Sequence, residues 1–339
     1  MFGHEYFMRI ALTQAQIAFD NDEVPVGAII VHQNKIIAKG HNLCEKLIDF
    51  TAHAEMQVLT SASNFLQNKY LNECTLYVTL EPCNHYGKTP PCSDLIIANK
   101  IPRVVIGCLD EHEKVCGQGI SKLKAAGCDV IVGVLEKECK NHHKRFFTYH
   151  SKKRPYIILK WAESKDGYIA PLTKLEIKPV WISNLRSRQL THQWRAEEQA
   201  IMVGANTVTQ DNPRLTTREV EGTNPIRIVV DIKNSLSRSS QVFNSEATTI
   251  KLTKTEIDPK KPLASQISKA LYINKITSVI IEGGLKTLQA FINEDLWDEA
   301  RIFTSCNKLT EGVKKPQLEG RLTKNIRIGS DSLKIILND

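Results

Sequence analysis

Thr79-Leu80-Glu81-Pro82-Cys83-Asn84-His85-Tyr86-Gly87-Lys88-Thr89-Pro90-Pro91-Cys92 is the stretch on which the reading of this chain turns. With Thr51-Ala52-His53-Ala54-Glu55 upstream, it offers one imidazole, two thiolates and one spare carboxylate. His53, Cys83 and Cys92 make a nitrogen–sulfur donor set that suits Zn2+ and leaves the fourth position to water. Water held there ionises near neutral pH, and Glu55, which is not needed as a ligand, is placed to move protons. Residues two apart diverge in mid-helix, so His53 and Glu55 are expected on a first turn, with Thr51 as its cap. The plain alternative is a histidine at a helix start and two buried cysteines. The coincidence of H-x-E and E-P-C in this order argues against it.

His-Ala-Glu followed by Glu-Pro-Cys resembles the cytidine deaminase superfamily, in which the zinc-activated water attacks a base and the glutamate is the general acid–base. There the last two cysteines usually stand two residues apart; here eight residues separate Cys83 from Cys92. That insert resembles the bifunctional riboflavin-biosynthesis deaminase/reductase family, and the resemblance runs from about Glu81 to the C-terminus.

Length and composition agree with such a chain. At 339 residues two domains are expected, and 42% hydrophobic with 24% charged residues is a globular balance. No apolar run approaches the ~18 residues of a membrane span, and Met-Phe-Gly-His-Glu lacks the regions of a signal peptide. A cytoplasmic protein is expected. Nine cysteines without a signal argue against a disulfide framework. Cys44, Cys74, Cys108, Cys116, Cys128, Cys139 and Cys306 read as reduced small hydrophobes. The net charge of +8 suits sugar phosphates, NADPH or RNA without choosing among them.

Along the chain, residues 5–20 have helical spacing, and 26–31 with 35–38 read as a hairpin turning at Gln33-Asn34. A helix over 52–63 carries His53, and a strand over 75–79 delivers Cys83. Strand 103–108, helix 117–126, strand 129–134 and helix 136–149 follow, the alternation of a central sheet covered on both faces. Lys152-Lys153-Arg154-Pro155 reads as a solvated linker, with an RNA-binding patch as the alternative. The domains expected are 1–150 and 151–339. In the second, strands are expected at 156–162, 199–203, 226–231, 247–253, 277–281 and 299–305, with helices at 184–197, 262–273 and 285–294. No G-x-G-x-x-G follows a strand, so a Rossmann site is disfavoured.

Thr277-Ser-Val-Ile-Ile-Glu-Gly-Gly-Leu-Lys-Thr287 instead ends a strand in two glycines and opens a helix. Backbone amides there can approach a phosphate, although a tight turn explains the glycines equally well. Lys160-Trp-Ala-Glu-Ser-Lys-Asp-Gly167, Trp181-Ile182, Trp194-Arg195-Ala196, Val203-Gly-Ala-Asn-Thr207 and Asp211-Asn-Pro-Arg-Leu215-Thr-Thr-Arg218 occur in the order of the riboflavin-pathway reductase domain. That domain is similar in fold to dihydrofolate reductase and binds NADPH. The fold implied is a cytidine-deaminase-like three-layer α/β/α domain followed by a dihydrofolate-reductase-like α/β domain. The resemblance implies that Ala162, Trp181, Thr207, Asp211 and the turn Gly284, Leu285, Lys286, Thr287 face NADPH. It further implies that Lys160, Arg195, Leu215, Arg218 and Glu282 line the phosphoribosyl substrate, the two arginines being able to grip a phosphate. Pro179 stands where the family commonly has a serine two positions before the tryptophan.

Residues 1–80 look closer to the bacterial tRNA adenosine deaminases, in Glu23-Val-Pro-Val-Gly27, Gly40-His-Asn42 and Asp49-Phe-Thr-Ala-His-Ala-Glu55. In that family the residue matching Asn42 bonds the flipped base. The loop with His85 and Lys88 favours a phosphoribosyl pyrimidine as substrate instead. The implied partners are therefore that pyrimidine and NADPH, with no membrane, and a homo-oligomer is expected. A tRNA adenosine deaminase fused to the reductase is the alternative. An intact His53, Glu55, Cys83 and Cys92 argue against a third reading, a degenerate nucleotide sensor.

Overall fold

The computed structural model describes residues 2–84, 86, 90–110 and 117–338, which form two compact units, Met1–Lys152 and Lys153–Asp339. His85 and Lys88, expected against substrate, lie outside the described residues.

In the first unit, helix α1 (His4–Asp20) leads into strands β1 (Gly27–His32) and β2 (Lys35–His41). The expected turn joins them: Gln33 and Asn34 both take positive φ, 46° and 62°, which matches the twist of a two-residue hairpin. There follow α2 (Cys44–Leu47), α3 (Ala54–Leu66), β3 (Cys74–Leu80), α4 (Cys92–Ala98), β4 (Arg103–Cys108), α5 (Gln118–Ala125), β5 (Asp129–Val132) and α6 (Glu136–Lys152). The sheet order is β2-β1-β3-β4-β5, antiparallel in the hairpin and at β1–β3, parallel from β3 to β5.

Helices cover both faces because successive side chains of a strand alternate. A Cβ on Gly27 would stand 2.1 Å from Ala11 O of α1. The next residue, Ala28, pairs with Gly40, where a Cβ would stand 2.9 Å from the Gln57 Cβ of α3. The two glycines thus let one helix close on each face, α1 beside α6 on one and α3 beside α4 on the other. The core between the layers is aliphatic, with Ile29, Ile30, Leu76, Val78, Val104 and Ile106 buried in it.

The second unit runs β6 (Tyr156–Glu163), β7 (Tyr168–Ala170), α7 (Leu185–Glu197), β8 (Ala200–Gly204), α8 (Ala205–Asp211), β9 (Ile226–Val230), β10 (Thr249–Leu252), α9 (Leu263–Ile273), β11 (Ser278–Gly283), α10 (Leu285–Asn293), β12 (Glu299–Thr304), β13 (Val313–Lys314), β14 (Arg321–Ile328) and β15 (Asp331–Leu337). Its main sheet has the order β10-β9-β8-β11-β6-β12-β15-β14, parallel from β10 to β12 and antiparallel in the terminal hairpin. That hairpin and α8 were absent from the expected elements. β14 is exposed along nearly its whole length, so it carries little of the apolar alternation by which a strand is recognised. The strand period sorts the residues: Ile157, Leu159 and Ile281 face α9 and α10, while Ile158, Ile280 and Phe303 share a cluster with Trp194 of α7.

One expectation is corrected at the domain junction. Helix α6 extends to Lys152, and Lys152 and Lys153 are exposed, but Arg154 is not part of a solvated linker. It is 8% exposed, and its guanidinium donates to both oxygens of Asp298, at 2.5 and 2.8 Å, and to Pro155 O at 2.9 Å. Asp298 also accepts the Ile157 N–H at 2.8 Å, so the pair pins the start of β6 against the start of β12. Sequence proximity to two lysines concealed a buried ion whose partner lies 144 residues away.

Arg154→Ala is expected to destabilise the second unit by about 3–5 kcal/mol, because it leaves a buried carboxylate uncompensated. All four tryptophans (Trp161, Trp181, Trp194 and Trp297) belong to this unit. Tryptophan fluorescence during urea unfolding therefore reads it alone, and an unchanged midpoint would refute the pinning role.

Two candidate active sites

The first site is assembled at helix N-termini. His53 is the N-cap residue of α3, extended at φ −68° and ψ 155°, and Glu55 is two residues further in, on the first turn as expected. Thr51 does not cap: its hydroxyl donates to Asp49 Oδ1 at 2.7 Å. The buried first-turn Ala54 N–H is instead met by Asn42 Oδ1 at 2.9 Å, a cap supplied from the end of β2. Asn42, expected to bond a base, therefore spends its carbonyl on the zinc helix and keeps its amide nitrogen without a partner among the described residues.

Cys92 opens α4 behind Pro91, and Cys83 follows the end of β3. The Cys92 N–H donates to Cys83 Sγ at 3.2 Å, and Ser93 N–H to Cys83 O at 3.1 Å, so the two cysteines are held face to face. His53 Nδ1 lies 3.3 Å from Cys92 Sγ and 3.9 Å from Cys83 Sγ, and the three donor atoms all fall within 4.8 Å of one another. Tetrahedral zinc with bonds of ~2.0–2.1 Å to nitrogen and ~2.3 Å to sulfur sets N–S edges of roughly 3.6 Å. The donor set fits the ion. Hydrogen bonding from Cys92, reinforced by His53, holds the Cys83 thiol well below its ordinary range despite burial, as a ligand requires.

Glu55 is 4% exposed. Burial pushes its carboxyl up to about 7, against the attraction of His53. Such a group takes and returns a proton near neutral pH.

Glu81 was read only as the first letter of Glu-Pro-Cys. In the fold it anchors a loop. Its buried carboxylate accepts the N–H groups of Gly117, Gly119 and Ile120 at 3.0, 3.1 and 3.3 Å, at the start of α5. It also takes Asp110 N–H at 3.4 Å. A Cβ on Gly119 would stand 2.3 Å from Pro82 O, so this loop closes directly on the Pro82 that precedes Cys83.

The second site lies at the C-terminal ends of β6, β8 and β11. Arg195 of α7 grips Glu282 with Nε at 3.0 Å and Nη2 at 2.6 Å, and its Nη1 donates to Thr216 O at 3.3 Å. Burial alone would raise the Glu282 carboxyl, but Arg195 and Lys160 hold it down to about 2. Burial lowers the Lys160 pKa, opposed by Glu282 and aided by Arg195. Arg218, the more exposed guanidinium, donates from Nη1 to Thr216 Oγ1 at 2.9 Å. One fork of Arg195 is thus committed to Glu282, which leaves Arg218 the freer of the two for an anion.

Two residues here were missed. Thr216 ties both arginines together, and His192 Nδ1 accepts the Arg218 N–H at 3.1 Å. Burial, then Arg195 and Arg218, lower the His192 pKa to about 4, so its ring is neutral and its Nδ1 an acceptor. The signal for His192 was its place one turn before Arg195. Leu215, expected against substrate, is buried with φ at 58°.

Of the residues expected at NADPH, Thr207 and Gly284 come together: a Cβ on Gly284 would lie 3.4 Å from Thr207 Oγ1. Thr287 Oγ1 in turn would stand 2.9 Å from a Cβ on Gly204, so the two strand-to-helix turns, β8–α8 and β11–α10, are neighbours. Gly284 caps α10, whose first turn holds Leu285, Lys286 and Thr287. These turns present helix N-termini side by side, an arrangement suited to a diphosphate. Ala162 stands near the end of β6. Asp211 is paired with Lys174, and Trp181 is 56% exposed with the Arg188 guanidinium 4.5 Å from its ring centroid.

Comparison with known proteins agrees with this division. The cytidine and deoxycytidylate deaminase zinc-binding region matches residues 1–108, and the RibD C-terminal domain matches residues 155–309. The chain is 36% identical to riboflavin biosynthesis protein RibD of Aquifex aeolicus, over 97% of this chain and 92% of the relative. It is 33% identical to the RibD of Actinobacillus pleuropneumoniae, over 83% and 77%. Among solved structures it resembles the diaminohydroxyphosphoribosylaminopyrimidine deaminase/5-amino-6-(5-phosphoribosylamino)uracil reductase of Thermotoga maritima, at 35% identity, TM-score 0.84 and 98% coverage of both chains. The whole-length relatives leave the likeness of residues 1–80 to tRNA deaminases without weight for the activity.

Purified protein should hold about one zinc per chain. Cys92→Ala should lose most of it while Glu55→Ala keeps it, as read by metal analysis; full retention in Cys92→Ala would take that cysteine out of the site. At the second site, Gly283 has φ 131° and needs glycine, whereas Gly284, at φ −78°, has room for a methyl group. Gly284→Ala should therefore fold normally and raise the NADPH dissociation constant about tenfold or more, the worth of a charge-assisted hydrogen bond. Unchanged affinity by titration calorimetry would make the turn purely structural.

Proposed function

The chain belongs to the RibD family, bifunctional deaminases and reductases of riboflavin biosynthesis, and from that membership we propose how its own residues divide the work. The first unit deaminates 2,5-diamino-6-(5-phosphoribosylamino)pyrimidin-4-one hydrolytically. The second reduces the ribosyl side chain of the product to ribityl with NADPH. The observation that carries the deaminase reading is a buried carboxyl, Glu55, which burial pushes up to about 7, two residues from one member of a nitrogen–sulfur–sulfur triad.

His53, Cys83 and Cys92 hold zinc, which when bound supplies the Lewis acidity that ionises a water near neutral pH. Glu55 accepts that water's proton and delivers it to the ring nitrogen, then takes the proton of the hydroxyl newly added to the base and delivers it to the departing amino group, which leaves as ammonia. Asn42 locks the first turn of α3 through Ala54 N–H, and its free amide hydrogens are offered to the pyrimidine. The Glu81 carboxylate holds the loop at residues 117–120 against Pro82, which keeps Cys83 in register.

In the second unit NADPH supplies the hydride. The amide ends of α8 and α10, with Thr207 between them, would hold its diphosphate. Lys160 faces the opened ribose and donates a proton or hydrogen bond as C1′ is reduced. Arg218, steadied by Thr216 and His192, takes the sugar phosphate, and the Arg195–Glu282 pair fixes the ribose hydroxyls. Glu282 stays ionised throughout the working range, because Arg195 and Lys160 overcome its burial.

The two activities separate in one experiment. Ammonia release from the diaminopyrimidine and NADPH oxidation on the pre-deaminated uracil are measured on wild type and Glu55→Gln. The variant should lose ammonia release by ~10²-fold or more, the usual worth of general acid–base catalysis, and keep NADPH oxidation. Equal loss of both would contradict two independent sites. Inosine formation in a tRNA anticodon stem-loop without ammonia from the pyrimidine would contradict the substrate.

A further inference from the structure

Beside the reductase site lies a buried ionic stack to which none of the roles above extends. Strand period places Lys160 and Arg301 on the same face of the sheet, since they are direct partners in the β6–β12 register. Two cations side by side under a helix need separate counter-charges. Lys160 has Glu282. Arg301 turns the other way: its Nε donates to Glu299 Oε1 at 2.6 Å and its Nη2 reaches Glu198 Oε1 at 3.4 Å, all three side chains being almost fully buried.

Arg301 does more than neutralise those carboxylates. Its guanidinium lies 4.7 Å from the centroid of the Trp194 ring, and its Nη1 is buried without a hydrogen-bond partner among the described residues. The guanidinium therefore takes part of its stabilisation from the aromatic face. Trp194 also stacks on Phe303 at 5.4 Å and 21°. Phe303 in turn underlies Lys160, whose Nζ is 5.9 Å from its centroid. The residue after Trp194 is Arg195, which grips Glu282. At the end of α7, Glu198 N–H closes on Trp194 O at 3.0 Å, so both ends of this turn belong to the stack.

We propose that Arg301 is a positioning residue for the reductase: through the Trp194–Phe303 stack it sets the last turn of α7, and with it Arg195 and Lys160, against the phosphoribosyl substrate. This rests on the reading that Arg195 and Lys160 hold that substrate. Arg301→Lys keeps the charge but loses the planar fork and its stacking face. Trp194→Phe keeps an apolar ring and loses area over the guanidinium. Should Arg301→Lys not fold, Trp194→Phe carries the test alone.

The experiment measures reductase KM and kcat for the deaminated uracil and for NADPH in both variants and in Arg195→Ala, with ammonia release as an internal control. Misplacing a substrate-holding group should raise the KM for the uracil by about tenfold. NADPH KM and ammonia release should stay at wild-type values. If Arg195→Ala leaves that KM unchanged, the substrate assignment fails whatever Arg301 does. If Arg195→Ala raises it while Arg301→Lys and Trp194→Phe lose activity only in proportion to folded protein, with both KM values unchanged, the positioning role is overturned.

Discussion

A carboxylate taken out of water must be paired, hydrogen-bonded or protonated, and this constraint organises both units. Among the described residues, Glu81 is satisfied by four backbone N–H groups. Asp298 is satisfied by the Arg154 guanidinium and one amide, and Glu282 by the fork of Arg195. Glu55 is the exception. It is as deeply buried as the others, and among the described residues the attraction of His53 and hydrogen bonds from its own amide and the Cys92 thiol do not offset that burial, which pushes its carboxyl up to about 7. The contrast separates the carboxylates that build the fold from the one equipped to move a proton.

Both sites use the same part of an α/β layer. Parallel strands end together, and the helices that follow turn their N-termini toward the same edge. At the first site the N-terminal ends of α3 and α4 present His53 and Cys92, and the end of β3 delivers Cys83. At the second, the ends of β8 and β11 pass into α8 and α10 through Gly204 and Gly283-Gly284, and Lys160 comes from the neighbouring β6. The layers differ in what they place at that edge: soft ligands in one, amide hydrogens and cations in the other. This is how one architecture serves a hydrolysis and a hydride transfer in one chain.

The caps are supplied from a distance. Asn42 closes α3 from β2, and Glu81 holds the start of α5 from the end of β3. Each ties a catalytic helix or loop to a strand of the sheet, so the site inherits the rigidity of the core. His53, at the N-cap of α3, makes no side-chain cap hydrogen bond itself, and Asn42 supplies the cap from elsewhere.

The sequence by itself determined what depends on neighbours along the chain. The grouping of His53, Cys83 and Cys92 and the first-turn place of Glu55 were legible from two short motifs, the β1–β2 turn from Gln33-Asn34, strand β4 from its apolar run, and the β11–Gly283-Gly284–α10 junction from its glycines. The tertiary structure decided everything whose partner lies far away: Arg154 with Asp298, Glu81 with Asp110, Gly117, Gly119 and Ile120, and Thr216 between two arginines. It also decided that Asp211 pairs with Lys174, and that the exposed β14 forms a strand at all. The reason is physical. Periodicity and turn chemistry report which face of an element is apolar, whereas a buried ion shows itself only when the fold brings its counter-charge across the sheet.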